Sequence, residues 1–245
     1  MTTDVWSCGG GVQSCAIAVL ICDGRLPKPD LAVIVDTERE RSSTWAYYDS
    51  VLRPRLAEAG VDLVRVPKST YATCDLWGGA GGDLFLPGGF FDGGKAPMYC
   101  SNEWKSRVVD RWMRDQGVVS ARLWMGMSTD EMRRVRVSRV GWIEKWYPLI
   151  EARMNRSSCV AAVVKRGWPM PPRSSCWMCP NAGDREWLDL KTDYPEDFAR
   201  AVELEREIRA TQPGMTLHQS GKTLDLVDFG EAQMSISDCA GMCWV

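Results

Sequence analysis

The apolar positions of this chain alternate between two periods. Val5 to Ser7 is a short strand candidate, and Val12 to Cys22 carries its apolar residues as an amphipathic helix does. Leu31 to Thr37 (LAVIVDT) is a continuous apolar run, the pattern of a strand buried on both faces. Ser42 to Ala59 has helical spacing and stops at Gly60, and Val61 to Val66 reads as a third strand. Strand, helix, strand, helix, strand predicts an α/β fold, a Rossmann-like parallel sheet with helices on both faces.

The rhythm breaks between Tyr71 and Pro97, where LWGGAGGDLFLPGGFFDGGKAP is too rich in glycine for a core and too aromatic for a plain linker. It is expected to be a mobile loop covering a ligand, with a disordered insertion as the other reading. A helix follows over Ser101 to Gln116, with Ser101 as its cap and Glu103 in its first turn. Leu123 to Met127 is the next strand, Trp142 to Ile150 holds another, and Asn155 to Arg166 is a helix ended by Gly167. Pro169, Pro171 and Pro172 force an extended approach to SSCWMCPN, after which Asp184 to Lys191 and Pro195 to Ala210 read as helices. The organisation expected is an α/β domain over 1–150 and a helical and irregular, cysteine-bearing extension over 151–245, packed as one unit.

At 245 residues the chain can build one sizeable core, and 45% hydrophobic with 25% charged residues is the balance of a soluble globular protein. There is no apolar run long enough to span a bilayer, and the acidic Asp4 near the start does not suit a signal peptide, so the expected address is the cytoplasm. In that compartment the ten cysteines are thiols, metal ligands or redox groups rather than structural disulfides. A net charge of −2 excludes a uniformly basic coat but leaves a local one, and Arg122, Arg133, Arg134, Arg136 and Arg139 fall in one stretch.

GGGVQS (Gly9 to Ser14) stands between the first strand and the first helix. A glycine turn there lets backbone N–H groups close around an anion that the helix N-terminus also attracts. A simple tight turn is the bland reading. The spacing fits neither GxGxxG nor GxxxxGK[ST], and the GKT at Gly221 to Thr223 follows no strand. GGGVQS does resemble the pyrophosphate-binding PP-loop, usually written SGGxDS, of the ATP pyrophosphatase superfamily. VDTERERSST (Val35 to Thr44) is similar to the DTG-type turn of the phosphoadenosine phosphosulfate reductase branch, with Glu38 in the glycine's place. CSNEWKSRVVDRWM (Cys100 to Met113) resembles that branch's cysteine–lysine helix, and GMSTDEMRRVR (Gly126 to Arg136) its GxxxDExxR segment. SSCWMCPNAGDREWLDL (Ser174 to Leu190) resembles the SxCxxCP segment of the reductase-like proteins of phages and of Dnd- and Ssp-type DNA phosphorothioation systems. Gly9 and Gln13 depart from the loop pattern, which usually has serine and aspartate there, and the ECGLH-type nucleophile segment of true sulfonucleotide reductases is missing.

The resemblance implies ATP, with Mg2+, held by Gly9, Gly10, Gly11, Val12, Gln13 and Ser14 together with Asp36, Thr37 and Gly126. It implies catalytic roles for Ser14, Lys105, Asp130, Glu131 and Arg134. The last three also follow a strand end, where open α/β sheets place ligand contacts, although a solvated turn and helix cap is the alternative. In the resembling reductases cysteines corresponding to Cys100, Cys176 and Cys179 hold a [4Fe–4S] cluster; a mostly thiolate zinc site is the other metal reading. Trp177 inside the CxxC is placed to shield such a cluster. Cys239 and Cys243 in the tail are open between a persulfide relay, a fourth ligand and structure. Cys8, Cys15, Cys22, Cys74 and Cys159 read as core residues and His218 as structural or exposed.

The activity expected is adenylation of a substrate with release of pyrophosphate, followed by sulfur insertion from the cluster or a persulfide. The acceptor expected is nucleic acid, DNA backbone ahead of tRNA. A cysteine desulfurase as sulfur donor and other modification-system proteins are the partners, with no membrane association. A sulfonucleotide reductase, a tRNA thiolation enzyme and a non-catalytic nucleotide- or DNA-binding module are the alternatives.

Overall fold

The structure, a computed structural model, describes residues 1–78, 84–91 and 94–230. In chain order the elements are β1 (Thr3–Cys8), α1 (Val12–Cys22), β2 (Leu31–Asp36), α2 (Ser42–Tyr47), α3 (Arg53–Glu58) and β3 (Leu63–Pro67). Then come β4 (Trp77–Gly78), β5 (Leu84–Phe85), β6 (Phe90–Phe91), β7 (Gly94–Lys95), α4 (Arg107–Asp115), β8 (Ala121–Met125) and β9 (Ile143–Trp146). The last are α5 (Pro148–Glu151), α6 (Arg156–Lys165), α7 (Asp184–Asp193) and α8 (Pro195–Thr211). Wide turns at Tyr48–Leu52 and Ser101–Ser106 run directly into α3 and α4, so the helices predicted at those two places are present as continuous coils.

The chain divides into two compact units that interleave along the sequence rather than meeting at residue 150. The first comprises Met1–Glu38, Ser43–Tyr71 and Arg107–Ser174; the second Arg39–Ser42, Ala72–Ser106 and the chain from Ser175 onward.

The first unit is built on a five-stranded, all-parallel sheet of order β3-β2-β1-β8-β9. β1 is central, with Val5 opposite Leu31 on one side and Leu123 on the other. A strand paired on both edges and covered on both faces has no wet side, and Val5 and Trp6 are accordingly fully buried. Helix α1 buries nearly all of VQSCAIAVLIC, so it is a core helix rather than the amphipathic one expected. The core joins Trp6, Ile17, Leu52, Leu56, Trp124, Leu149 and Val163. Asn155 starts α6 as a side-chain cap, its Oδ1 accepting the Ser158 N–H at 2.8 Å. Because the chain leaves β1 for β2 on one side and returns to β8 on the other, the C-terminal ends of β1 and β8 flank a topological switch point, where open α/β sheets bind ligands.

In the second unit α7 and α8 pack around Trp187, Leu190, Leu204 and Ile208 together with Leu86, Trp104, Met178 and Leu217. Glu205, buried in α8, accepts backbone N–H bonds from Leu217 (2.7 Å) and Leu224 (2.6 Å), tying the segment after the helix down onto it. Residues 79–83 and 92–93 of the glycine-rich stretch lie outside the described residues. The described residues of the stretch form two short antiparallel hairpins, β4–β5 and β6–β7, and Phe90 exchanges both backbone hydrogen bonds with Thr216 at 2.8 Å. Leu86 is fully buried, and a Cβ on Gly89 would lie 2.7 Å from Met215 Sδ. These glycines give up side chains to let a methionine pack against the backbone, a use that composition alone does not separate from flexibility.

Candidate functional site

In the first unit, β1 ends at Cys8 and the chain turns through three glycines into α1. Gly10 takes φ +74°, a left-handed conformation that a side chain resists, and a Cβ there would press on Thr44 Cγ2 at 3.3 Å. Gly11 is the N-cap of α1 and offers no side-chain cap, so the first amides of the helix are left for another acceptor. The Gly9 N–H donates to Ser14 Oγ at 2.8 Å, which closes the loop on itself. Cys8 lies beneath it; burial pushes its thiol up to about 12, against hydrogen bonds from the Gly10 amide and Ser14, so it is a neutral wall and not a nucleophile.

Two hydroxyl-bearing side chains meet this turn, Ser174 through its Oγ and Thr44 through its methyl. Ser174 Oγ and Thr44 Oγ1 are both buried and have no hydrogen-bond partner, and Ser174 Oγ lies 3.7 Å from where a Gly10 Cβ would be. Buried hydroxyls without partners are costly in an empty protein and satisfied in one that holds an oxyanion. The sequence reading did not assign either residue, though Ser174 was the serine of the SxC pattern.

Gly126, just past β8, brings the neighbouring strand end to the same turn: a Cβ on it would sit 3.0 Å from Ser14 Oγ. Gln13 Nε2 donates to Glu131 Oε2 at 3.1 Å, and Glu131 also pairs with Arg134. The pairing gives a reason for the departure at position 13, since an aspartate there would face the Glu131 carboxylate. Asp130 is turned elsewhere. Its carboxylate accepts the backbone N–H of Arg156 at the start of α6 and a 3.3 Å bond from Ser128 Oγ, which is the helix-cap alternative. Asp36 is buried, accepts the Glu38 N–H at 2.6 Å and is held by Arg65 Nε at 2.9 Å, while Thr37 beside it is fully buried. Glu38 takes φ 59°, so the position occupied by glycine in the DTG pattern keeps a glycine's backbone here, with its carboxylate 2.7 Å from the buried Lys68 Nζ. Of the basic stretch, Arg122 is taken up by Asp4 and stacks over Trp146, whereas Arg133, Arg136 and Arg139 are exposed.

The second unit carries the cysteines. Glu40 pairs with Cys176 through a backbone bridge, the Trp177 N–H donates to Arg39 O at 2.8 Å, and the Cys179 N–H donates to Cys176 O at 3.2 Å, folding the CxxC as a turn. Trp177 and Met178 are buried in this unit's core. Lys105 Nζ donates to Glu40 Oε1 at 3.1 Å, and the other Glu40 oxygen is buried without a partner. Burial opposes the charge on Lys105, but Glu40, Cys176 and Cys100 outweigh it and raise its pKa above the ordinary lysine value. Lys105 thus stands as an ammonium beside Glu40, Cys176 and Cys100.

Among the described residues no group of three or more His, Cys, Asp and Glu side chains is placed to hold a metal ion. Cys239 and Cys243 lie outside the described residues. His218, read as structural or exposed, is buried between Asp184 (3.0 Å) and Ser220 (2.8 Å).

The parallel sheet, its strand order and the glycine turn at its switch point define an α/β protein of Rossmann-like type. No protein-family model matches the chain, and no curated protein matches it. Among solved structures it is similar to the U34-tRNA thiolase NcsA from Methanococcus maripaludis with its [4Fe–4S] cluster, at 11% identity and a TM-score of 0.49, over 93% of this chain and 73% of that one. No helix among the described residues is long and apolar enough to cross a membrane.

Proposed function

We propose that the chain is an adenylating ATP pyrophosphatase of the PP-loop kind that prepares a nucleic acid for sulfur insertion. The observation that carries the reading is the pair of buried, unpartnered hydroxyls of Ser174 and Thr44, on side chains that meet a glycine turn opening a helix with no side-chain cap. Such a turn suits the terminal phosphates of ATP, whose oxygens would satisfy both hydroxyls and the loop amides.

In this reading an oxygen of the substrate attacks the α-phosphorus, AMP is transferred, and pyrophosphate leaves with its growing charge held by the loop amides, Ser174 and Thr44. Gln13, fixed by Glu131, and Arg134 line the loop's flank. AMP is then the leaving group for sulfur. A persulfide on Cys100 or Cys176, loaded by a desulfurase-type donor, displaces AMP. The second thiolate then cleaves the resulting mixed disulfide, leaving sulfur on the substrate and a protein disulfide that a cellular thiol reduces.

Thiolation of tRNA and phosphorothioation of DNA share this activation chemistry, so the assay carries both acceptors. Anaerobic incubation with ATP, or with phosphoadenosine phosphosulfate, is followed for pyrophosphate and sulfite in the presence of tRNA, DNA or neither. Pyrophosphate from ATP, stimulated by one nucleic acid, is expected. Sulfite without pyrophosphate would replace this reading with a sulfonucleotide reductase, and neither product would replace it with a binding module.

A further inference from the structure

The second unit holds a cavity of about 580 Å³. One wall is the β6–β7 hairpin, with Phe90, Phe91 and Lys95, and the other is the chain after α8, with Gln219 and Ser220. Arg209 of α8 also lines it. The Phe90–Thr216 backbone bridge joins the two walls, so the opening is built into the fold.

The lining has one character. Phe91 is 40% exposed and lines the cavity. Lys95 Nζ stands 4.9 Å from the Phe90 ring centroid and donates to Asn181 Oδ1 at 2.6 Å, two residues beyond Cys179. Arg209 is oriented by a 3.2 Å bond to Met215 O. Ser220 Oγ is set by His218 Nδ1 at 2.8 Å, and His218 is itself held through Nε2 by Asp184. Among the described residues that line the cavity there are two cations and no carboxylate.

We propose that this cavity takes one unpaired nucleotide of a nucleic-acid strand, the base stacked on Phe91 and the phosphate drawn by Lys95 and Arg209. Aromatic rings beside cations are the recurring means of holding single strands, because every base has a π-face and every nucleotide a phosphate. The cavity has room for one nucleotide, and the Lys95–Asn181 bond ties its wall to the CxxC turn. The choice of a strand over a free nucleotide rests on the functional reading above.

The test is the fluorescence anisotropy of a short fluorescein-labelled single strand, in RNA and DNA forms, titrated with the full chain. F91A is expected to weaken binding roughly 5- to 150-fold, the range for loss of one stacked base, while F91W retains it. K95Q is expected to reduce the slope of log affinity against log salt by about 0.7, one phosphate contact on a single strand. Wild-type affinity in both F91A and K95Q would overturn the proposal. So would displacement of the strand by AMP at the strand's own affinity, which would make the ligand a free nucleotide. If the chain binds strands through Phe91 yet releases no pyrophosphate from ATP, this proposal stands and the adenylation reading falls.

Discussion

Ser174→Ala separates binding from stability in a way that few substitutions do. In the empty protein Ser174 Oγ is buried and has no partner, so it has lost its water and gained nothing in return. Removing it relieves a penalty on the order of 1–3 kcal/mol, offset in part by a small void, and the unliganded variant should be as stable as the parent or more so. For a chain of this size each kcal/mol moves the melting temperature by about 2–4 °C. With ATP bound, the same hydroxyl donates to a charged phosphate oxygen, a bond worth about 1.5–3 kcal/mol, so affinity should fall roughly 10- to 150-fold. Differential scanning fluorimetry without nucleotide, alongside calorimetric titration with ATP, reads the two effects on one sample. An empty variant several degrees less stable would show that the hydroxyl serves the fold, and unchanged ATP affinity would show that the turn does not hold phosphate. Thr44→Val, nearly isosteric at the other unpartnered hydroxyl, should behave the same way.

Gly10→Ala should lower stability by more than Gly24→Ala, because both take positive φ, worth about 1–2 kcal/mol to a side chain, but only Gly10 also meets Thr44; chemical denaturation compares them. Lys105→Met should destabilise by about 3 kcal/mol by stranding the buried Glu40 carboxylate, and the double variant with Glu40→Gln should recover most of that. Cys100→Ser or Cys176→Ser should abolish sulfur transfer to the nucleic acid while leaving pyrophosphate release in place, read by product analysis. For pH, burial raises the pKa of Glu205 above its ordinary 4.5 despite its two backbone donors. The folded state therefore keeps that proton longer than the unfolded one, and stability falls as pH rises from 4.5 through the folded value. Glu205→Gln should flatten that part of the stability profile. Asp4 has the opposite sign, since its hydrogen bond from Arg122 lowers its pKa, so its contribution is lost as pH falls below the ordinary 3.8 and Asp4→Asn should flatten the acid limb.

Where a pattern followed from burial, it was legible. LAVIVD reads as a strand buried on both faces and is one, and the glycines at Gly60 and Gly167 end their helices with positive φ. The glycine hairpins were not legible, because a glycine that yields to a methionine looks the same in sequence as one that yields to motion. Ser174 and Thr44 were hidden for a different reason: a buried hydroxyl gains meaning only from lacking a partner, which is a property of space. The carboxylates show the same limit. Asp130 and Glu131 are adjacent, yet one caps α6 and the other holds Gln13 and Arg134.

Two departures, Gln13 from the PP-loop pattern and Glu38 from the DTG-type turn, bear on whether the site has lost its chemistry. A chain decaying into a binding module would be expected to change such positions without compensation. Here Gln13 donates to Glu131, which a carboxylate at that position would repel, and Glu38 keeps the left-handed backbone while its side chain reaches Lys68. Gln13 therefore trades a charge for a neutral donor without opening the loop. If the turn holds phosphates as proposed, Gln13 leaves one negative charge fewer beside them, which would weaken the hold on a divalent cation and lessen repulsion of the nucleotide. Gln13→Asp should accordingly tighten the Mg2+ requirement of pyrophosphate release and raise the ATP concentration needed at low salt. Identical Mg2+ and ATP dependence in the variant would mean that position 13 does not face the phosphates.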